Sequence, residues 1–361
     1  MSLSFSALDH QYMAEALRLA ARGLPSTDPN PRVGCVLVRE RQIVGSGWHR
    51  AAGEPHAEAL ALREAGSRAR DAVAYVTLEP CSHLGRTPPC ADALIEAGVG
   101  EVIAAMPDPY PQVAGRGLAR LRAAGIRVRS GLMESQAREL NIGFVSRHQR
   151  GRPWVRIKLA ASLDGRIAGP DGRSQWITSP EARADGQTWR ARAGAILTGI
   201  GTVLSDDPRL TVRLTGADRQ PLRMVLDSGA RLPQSARMLE DGGPVKVASL
   251  CAPAWSGSGV EWRQLPAGED GRVGLAGVMD WLTELEVNEV HVEAGPVLAA
   301  ALVDGGWADE LLLYQAPVLL GGGISLMTLP GMEKFDQRLH FQIIDQRRIG
   351  PDQRFLLRPK T

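Results

Sequence analysis

Pro55-His56-Ala57-Glu58, then Val73-Ala74-Tyr75-Val76-Thr77-Leu78-Glu79-Pro80-Cys81, then Pro89-Cys90-Ala91 decide how the first half of this chain folds. The β-branched and apolar run Val73 to Leu78 reads as a strand that stops at Pro80 and delivers Cys81 at its end. Pro55 before His56, with Ala59, Leu60 and Leu62 after it, predicts a helix beginning at the histidine. A second helix is expected near Cys90, with Ala91, Leu94 and Ile95 on one face. One imidazole and two thiolates therefore stand where elements begin or end, and helix N-termini favour thiolates. Three such ligands suit a zinc ion and leave its fourth tetrahedral position open, as a catalytic site requires.

Glu58 gives the site its chemistry. Two residues beyond the histidine, it can reach a zinc-held water without being a ligand, the arrangement of zinc-dependent base deaminases, H-x-E…P-C-x-x-C. Zinc acidifies such a water for attack on an amino-bearing ring carbon, and a carboxylate shuttles its proton to the ring nitrogen and the departing ammonia. The cysteines stand as C-x8-C instead of C-x-x-C, and the longer loop, Ser82 to Pro89, carries His83. The alternative is a structural zinc knot closed by His83, in which a carboxylate at Glu58 has no task.

At 361 residues the chain is long enough for two domains, and 44% hydrophobic content is ample for two cores. A net charge of +2, with scattered arginines, gives no nucleic-acid-binding stripe. Four cysteines, two of them the expected ligands, imply a reduced, cytoplasmic compartment. Met1 to His10 lacks a signal-peptide pattern and no apolar run spans a bilayer, so no membrane partner is expected.

Asp9 is the expected N-cap of a helix with Met13, Ala16, Leu17 and Ala20 inward, ending at Gly23. Val33 to Val38 and Ile43 to Trp48 read as a hairpin around Arg39 to Gln42. Helix and strand then alternate: strand Glu101 to Ala105, helix Leu118 to Ala124, strand Ile126 to Arg129. Arg147 to Pro153 is polar, basic and punctuated by Gly and Pro, which predicts a solvated junction between a domain of residues 1–147 and one of 148–361. Beyond it, strands are expected from Trp154 and at Ala195 to Thr198, Met224 to Asp227, Val245 to Leu250, Glu289 to Glu293 and Glu310 to Ala316. The whole is an α/β chain.

Glycine-bearing turns recur in the second half at Thr198-Gly199-Ile200-Gly201-Thr202, Glu293-Ala294-Gly295-Pro296 and Leu320-Gly321-Gly322-Gly323, where backbone amides can approach a phosphate. None is the G-x-G-x-x-G fingerprint. The stretches Asp28-Pro-Asn30-Pro-Arg-Val-Gly34, Gly47-Trp-His49 through Glu58, Thr77 through Cys90, Asp108 through Gly117, Lys158-Leu-Ala-Ala-Ser162-Leu-Asp164-Gly-Arg166, Ser174-Gln-Trp176-Ile-Thr178, Gly201 through Arg213 and Glu293-Ala294-Gly295-Pro296 resemble the bifunctional riboflavin-biosynthesis deaminase-reductases over nearly the whole chain. In that family the longer cysteine loop is normal.

The resemblance implies a cytidine-deaminase-like three-layer domain followed by a dihydrofolate-reductase-like α/β domain. It implies zinc on His56, Cys81 and Cys90, proton transfer by Glu58, and contacts from Asn30, His49 and Arg86 to the phosphoribosyl part of a pyrimidine. For the second half it implies NADPH contacts at Ala161, Trp176, Thr202, Asp206, Ser228 and Gly295, and substrate contacts at Ser174, Arg190, Leu210, Arg213 and Glu293. The expected activity is zinc-dependent hydrolytic deamination of a diaminopyrimidinone ribosylamine phosphate, then NADPH-dependent reduction of ribosyl to ribityl. The partner is a small phosphoribosylaminopyrimidine, and a homo-oligomer is compatible with this reading. Two alternatives compete: a deaminase fused to a nucleotide-binding module that does not reduce, and a nucleic-acid-editing deaminase, which the near-neutral charge disfavours.

Overall fold

The computed structural model describes every residue except 1–3, 83–88, 112, 218, 242, 331, 333 and 361, and the side chain of Phe335. The chain folds as two compact units, residues 1–152 and 153–361.

In the first unit, α1 (Ala7–Ala20) precedes β1 (Gly34–Arg39) and β2 (Gln42–Trp48), the expected hairpin. Then come α2 (Ala57–Ala65), β3 (Val73–Val76), α3 (Cys90–Glu96), β4 (Glu101–Ala104), α4 (Arg116–Ala123), β5 (Arg127–Ser130), α5 (Glu134–Leu140) and α6 (Ile142–Arg150). The sheet order is β2-β1-β3-β4-β5, with β1 antiparallel to both neighbours and β3, β4 and β5 parallel. Strand side chains alternate between faces. Cys35 and Leu37 of β1 thus join Ala57, Ala61 and Leu94 on one side, while Val36 and Val38 join Met13, Ala16 and Ala137 on the other. Helix, sheet and helix make three layers.

Two expectations change here. Ser6, not Asp9, is the N-cap of α1, and Asp9 is the carboxylate of the capping box, accepting a hydrogen bond from the Ser6 amide at 2.8 Å and one from the buried Tyr75 hydroxyl at 2.7 Å. The stretch from Arg147 is not a linker throughout: α6 runs to Arg150 with Phe144 and Ser146 buried, and Gly151 ends it at φ +69°. The Ser146 hydroxyl ties back to the Arg152 carbonyl at 2.8 Å, so the unit closes at Arg152 and not at residue 147.

The second unit contains β6 (Trp154–Ala161), β7 (Arg166–Ala168), α7 (Pro180–Arg192), β8 (Ala195–Gly199), α8 (Ile200–Asp206), β9 (Leu222–Leu226), β10 (Val245–Ser249) and β11 (Val260–Gln264). It continues with α9 (Leu275–Glu284), β12 (Glu289–Val292), α10 (Pro296–Asp304), β13 (Glu310–Gln315), β14 (Ile324–Ser325), β15 (Phe341–Ile349) and β16 (Asp352–Pro359). Nine strands form one sheet in the order β11-β10-β9-β8-β12-β6-β13-β16-β15, parallel up to β13 and antiparallel beyond it. β7 and β14 pair separately. One face packs on Val278, Met279, Trp281 and Leu282 of α9 and Ala299 and Leu302 of α10. Part of the sheet is instead charged and dry: Arg156, 1% exposed, bonds Glu289 at 3.0 Å and Glu310 at 2.5 Å. Removing one member of such a buried pair costs about 3–5 kcal/mol.

Candidate active sites

In the first unit the sheet and two helix starts converge on three ligands. His56 occupies the N-cap position of α2 with extended backbone (φ −69°, ψ 162°), Cys81 follows the end of β3, and Cys90 opens α3. Their ligand atoms all lie within 4.8 Å of one another. His56 Nδ1 is 3.2 Å from Cys90 Sγ and 3.6 Å from Cys81 Sγ. A tetrahedral zinc about 2.1 Å from nitrogen and about 2.3 Å from sulfur would hold such atoms roughly 3.6 Å apart, so this donor set fits the ion. The Cys90 amide, at the start of α3, donates to Cys81 Sγ at 3.3 Å. Bonds from Cys90, together with His56, overcome burial and pull the Cys81 thiol down to about 4, into the thiolate range.

Glu58 lies in the first turn of α2, 3% exposed, against Cys81, Cys90 and His56. Burial, reinforced by the Cys81 charge, pushes its carboxyl up to about 7. Asn30 and His49 are brought together beside the ligands: Asn30 Nδ2 is 3.0 Å from His49 Nε2, and the His49 ring stands edge-on to His56 at 5.4 Å between centroids. Burial lowers the pKa of His49, and its Nδ1 lies 3.3 Å from the Pro55 carbonyl. His49 is thus a buried ring engaged on both nitrogens. Arg86 and His83 lie outside the described residues.

Sequence reasoning passed over Glu79. Its buried carboxylate accepts the amides of Asp108 (3.1 Å), Gly115 (2.9 Å), Gly117 (2.8 Å) and Leu118 (3.3 Å), capping α4 and joining it to the Pro80-Cys81 turn. The signal was an acid directly before a ligand-bearing Pro-Cys step.

In the second unit β9, β8, β12 and β6 lie side by side, and the expected cofactor residues other than Trp176 lie at their carboxyl ends or on the segments that follow them. Ala161 ends β6, Thr202 and Asp206 lie in α8 after β8, Ser228 follows β9, and Gly295 is the N-cap of α10 after β12. Ligands of open α/β sheets bind there. Gly295 brings no side-chain cap to α10, which leaves that helix's first amides for a pyrophosphate, so the residues fit a dinucleotide. Trp176 is 67% exposed with Arg183 over its ring at 4.4 Å.

The expected substrate residues divide. Glu293, just past β12, pairs through both oxygens with Arg190 of α7, the Nη2–Oε2 contact at 2.8 Å, and Arg190 also reaches the Thr211 carbonyl at 2.9 Å. Against burial, the Arg190 charge with bonds from His291 and Arg190 holds Glu293 well below its ordinary range. Arg190 is thus spoken for by a carboxylate, whereas Arg213 is exposed, close enough to feel Arg190, and pairs with no carboxylate among the described residues. Leu210 belongs to the core: its side chain is 3% exposed among Ile196, Val203 and Val225, at φ +53°. Ser174 is half-buried. Lys158, assigned no role from its sequence context, is half-buried in the field of Glu293 and Arg190, its ammonium pushed down by desolvation.

Three zinc ligands with a buried carboxylate beside them, and a second α/β unit on a largely parallel sheet, define a two-domain deaminase-reductase. Residues 6–106 match the cytidine and deoxycytidylate deaminase zinc-binding region, and residues 153–355 match the RibD C-terminal domain. The riboflavin biosynthesis protein RibD of Escherichia coli (strain K12) is 50% identical, over 95% of this chain and 97% of that protein, and that of Haemophilus influenzae is 44% identical over 99% of both. Among solved structures, Acinetobacter baumannii RibD superposes with a TM-score of 0.93 at 43% identity, covering 98% of this chain and 99% of that one. A Thermotoga maritima diaminohydroxyphosphoribosylaminopyrimidine deaminase/5-amino-6-(5-phosphoribosylamino)uracil reductase does so with 0.89 at 31%, with the same coverage. The chain belongs to the RibD family of bifunctional riboflavin-biosynthesis enzymes. It is a hydrolase and an oxidoreductase, with zinc in its deaminase domain and NADPH for its reductase domain. No helix among the described residues is long and apolar enough to cross a membrane.

Proposed function

We propose that the first unit deaminates a 2,5-diamino-6-ribosylamino-pyrimidinone 5′-phosphate and the second reduces the ribosyl group of the product to ribityl. The names of the Thermotoga maritima relative support this substrate pair. His56, Cys81 and Cys90 would hold zinc, which when bound acidifies the attacking water. Glu58 takes a first proton of that water at its carboxylate and gives it to the ring nitrogen as the oxygen bonds to the ring carbon, then takes the second proton from the hydroxyl so formed and gives it to the amine, so that the carbon–nitrogen bond breaks, ammonia leaves and a carbonyl remains. Asn30, held by His49, offers its amide to the sugar, and Arg86 would meet the phosphate.

Ala161, Trp176, Thr202, Asp206, Ser228 and Gly295 would hold NADPH, which when bound supplies the hydride. Arg213 binds the substrate phosphate, and Glu293 and Ser174 line the sugar site. Four free cysteines accord with a reducing cytoplasm. The observation that carries the deaminase assignment is the set of three ligand atoms at tetrahedral separations with buried Glu58 beside them. Glu58→Gln should abolish ammonia release with zinc still near one per chain. Loss of zinc from that variant would make Glu58 a ligand and overturn the assignment.

A further inference from the structure

The Leu320-Gly321-Gly322-Gly323 run stands apart from the cofactor residues at the strand ends. It lies after β13, and the structure ties it to the segment that follows Ala161. The Asp164 carboxylate accepts the amide of Leu320 at 3.1 Å and of Gly321 at 2.8 Å, and the Ser162 hydroxyl donates to it as well. Those bonds, the Ser162 one first, draw the Asp164 carboxyl down to about 2, so it is an anion across the working pH range.

Further links run along the same seam. The Leu163 amide donates to the Val318 carbonyl at 2.8 Å, and the Leu326 amide to the Gly165 carbonyl at 2.9 Å. Arg166 Nη1 reaches Ser325 Oγ at 2.6 Å, and β7 pairs with β14 through Ile324 and Ala168. Gly323 passes so close beneath β7 that a methyl group on it would sit 2.0 Å from the Ala168 carbonyl. The two segments form one flap, with Asp164 as the only acid among the described residues that bonds across it. The flap begins where Ala161, 2% exposed, ends β6.

We infer that Asp164 is a positioning residue of the reductase: by pinning the triglycine run it fixes the turn after Ala161 as the wall against which NADPH seats. This rests on the assignment of Ala161 and Trp176 to NADPH. A carboxylate suits the task because it can accept three donors at once, which an amide cannot do without turning its own N–H toward one of them. The consequence is selective. The cofactor loses its wall when Asp164 is truncated, while Arg213 and Glu293, carried by other segments, keep their places.

The test compares Asp164→Ala, Asp164→Asn and Trp176→Ala with the unaltered full chain, reading NADPH binding by fluorescence titration, steady-state KM for each reductase substrate, and ammonia release. Asp164→Ala should weaken NADPH binding about tenfold while the KM for the phosphorylated pyrimidine changes less than about twofold and ammonia release is unaltered. Asp164→Asn, which keeps one acceptor oxygen, should recover part of the loss. NADPH binding unchanged in Asp164→Ala, with Trp176→Ala impaired, would overturn the inference and leave the cofactor site standing. Unchanged binding in both would show that the cofactor assignment itself is wrong. Equal losses toward both substrates, with no recovery in Asp164→Asn, would mark Asp164 as merely structural and also overturn the inference.

Discussion

Gly117→Ala should damage the zinc site although residue 117 is no ligand. A Cβ at Gly117 would lie 1.9 Å from the Pro80 carbonyl oxygen, next in sequence to Cys81, and real Cβ contacts essentially never fall below 3.0 Å. At least about 1 Å of separation must therefore come from the Pro80 turn or from the start of α4. Neither side yields easily. The Glu79 carboxylate grips the Gly117 and Leu118 amides on one side and is itself the residue before Pro80 on the other. A zinc site tolerates only about 0.2 Å in its ligand distances, so displacement of Cys81 by even a third of that ångström weakens binding. Loss of supporting groups around metal ligands typically costs 10–100-fold in affinity or activity, and a similar loss is expected here. The assay is zinc retention against a graded chelator, alongside ammonia release, with NADPH-dependent reduction by the same protein as internal control. Zinc held as tightly as in the unaltered chain, with normal ammonia release, would refute the reasoning, because the turn and helix would then be free to part.

Three more outcomes follow from the geometry. Cys81→Ser and Cys90→Ser should each lose both zinc and ammonia release, measured by metal analysis and ammonia assay, since each removes one of the three ligands found among the described residues. Arg190→Ala should destabilise the second unit by about 3 kcal/mol at neutral pH, the low end for a buried pair, because it strands the largely buried Glu293. Glu293 is held below its ordinary value, so the pair's contribution is complete above the unfolded carboxyl pKa, about 4.3, and fades as the pH falls through the lower folded value; the unaltered chain and the variant should therefore converge in stability in acid, and a gap that widens there would contradict the assignment. Arg213→Ala should raise the reductase KM for the phosphorylated pyrimidine, leave NADPH affinity intact and spare deamination, whereas a main effect on NADPH would move Arg213 to the cofactor.

The zinc site was legible because its ligands occupy positions that local chemistry announces. Pro55 and Pro89 mark helix starts, Pro80 marks a strand end, and each ligand stands next to its proline. The central strands of both sheets were legible for a similar reason, since Val36, Val76, Leu197 and Val225 sit in short apolar runs bounded by turns. What escaped was structure made by distant partners. The helices α5 and α6 are short and interrupted at Asn141, and the end of α6 from Arg147 reads as part of a linker. Asn141 between them is nonetheless buried, bonded through both ends of its amide to the backbone of Arg32, 109 residues away. Nor does the stretch Asp345-Gln346-Arg347-Arg348 announce the closing hairpin β15–β16, where Arg354 joins Asp345 and, from α7, Asp185.

The same gap explains which site residues moved. Alternation along Trp154-Val155-Arg156-Ile157-Lys158 suggests a strand with one wet face, yet Arg156 is buried and Lys158 partly so, and Glu289 of neighbouring β12 and Glu293 just past it supply the opposite charges. A single strand cannot reveal that its charged face is matched by another. Arg190 and Glu293 were each expected to touch substrate; only the fold shows that they hold each other. Paired in this way, they form a neutral, rigid floor, and Arg213, which feels both of them, brings a guanidinium that no carboxylate among the described residues cancels. With Glu293 offsetting Arg190, a phosphate bound here would meet the positive charge of Arg213, with the Lys158 side chain in the same field. Removing Glu293 should free Arg190 and tighten phosphate binding even as it impairs the sugar site.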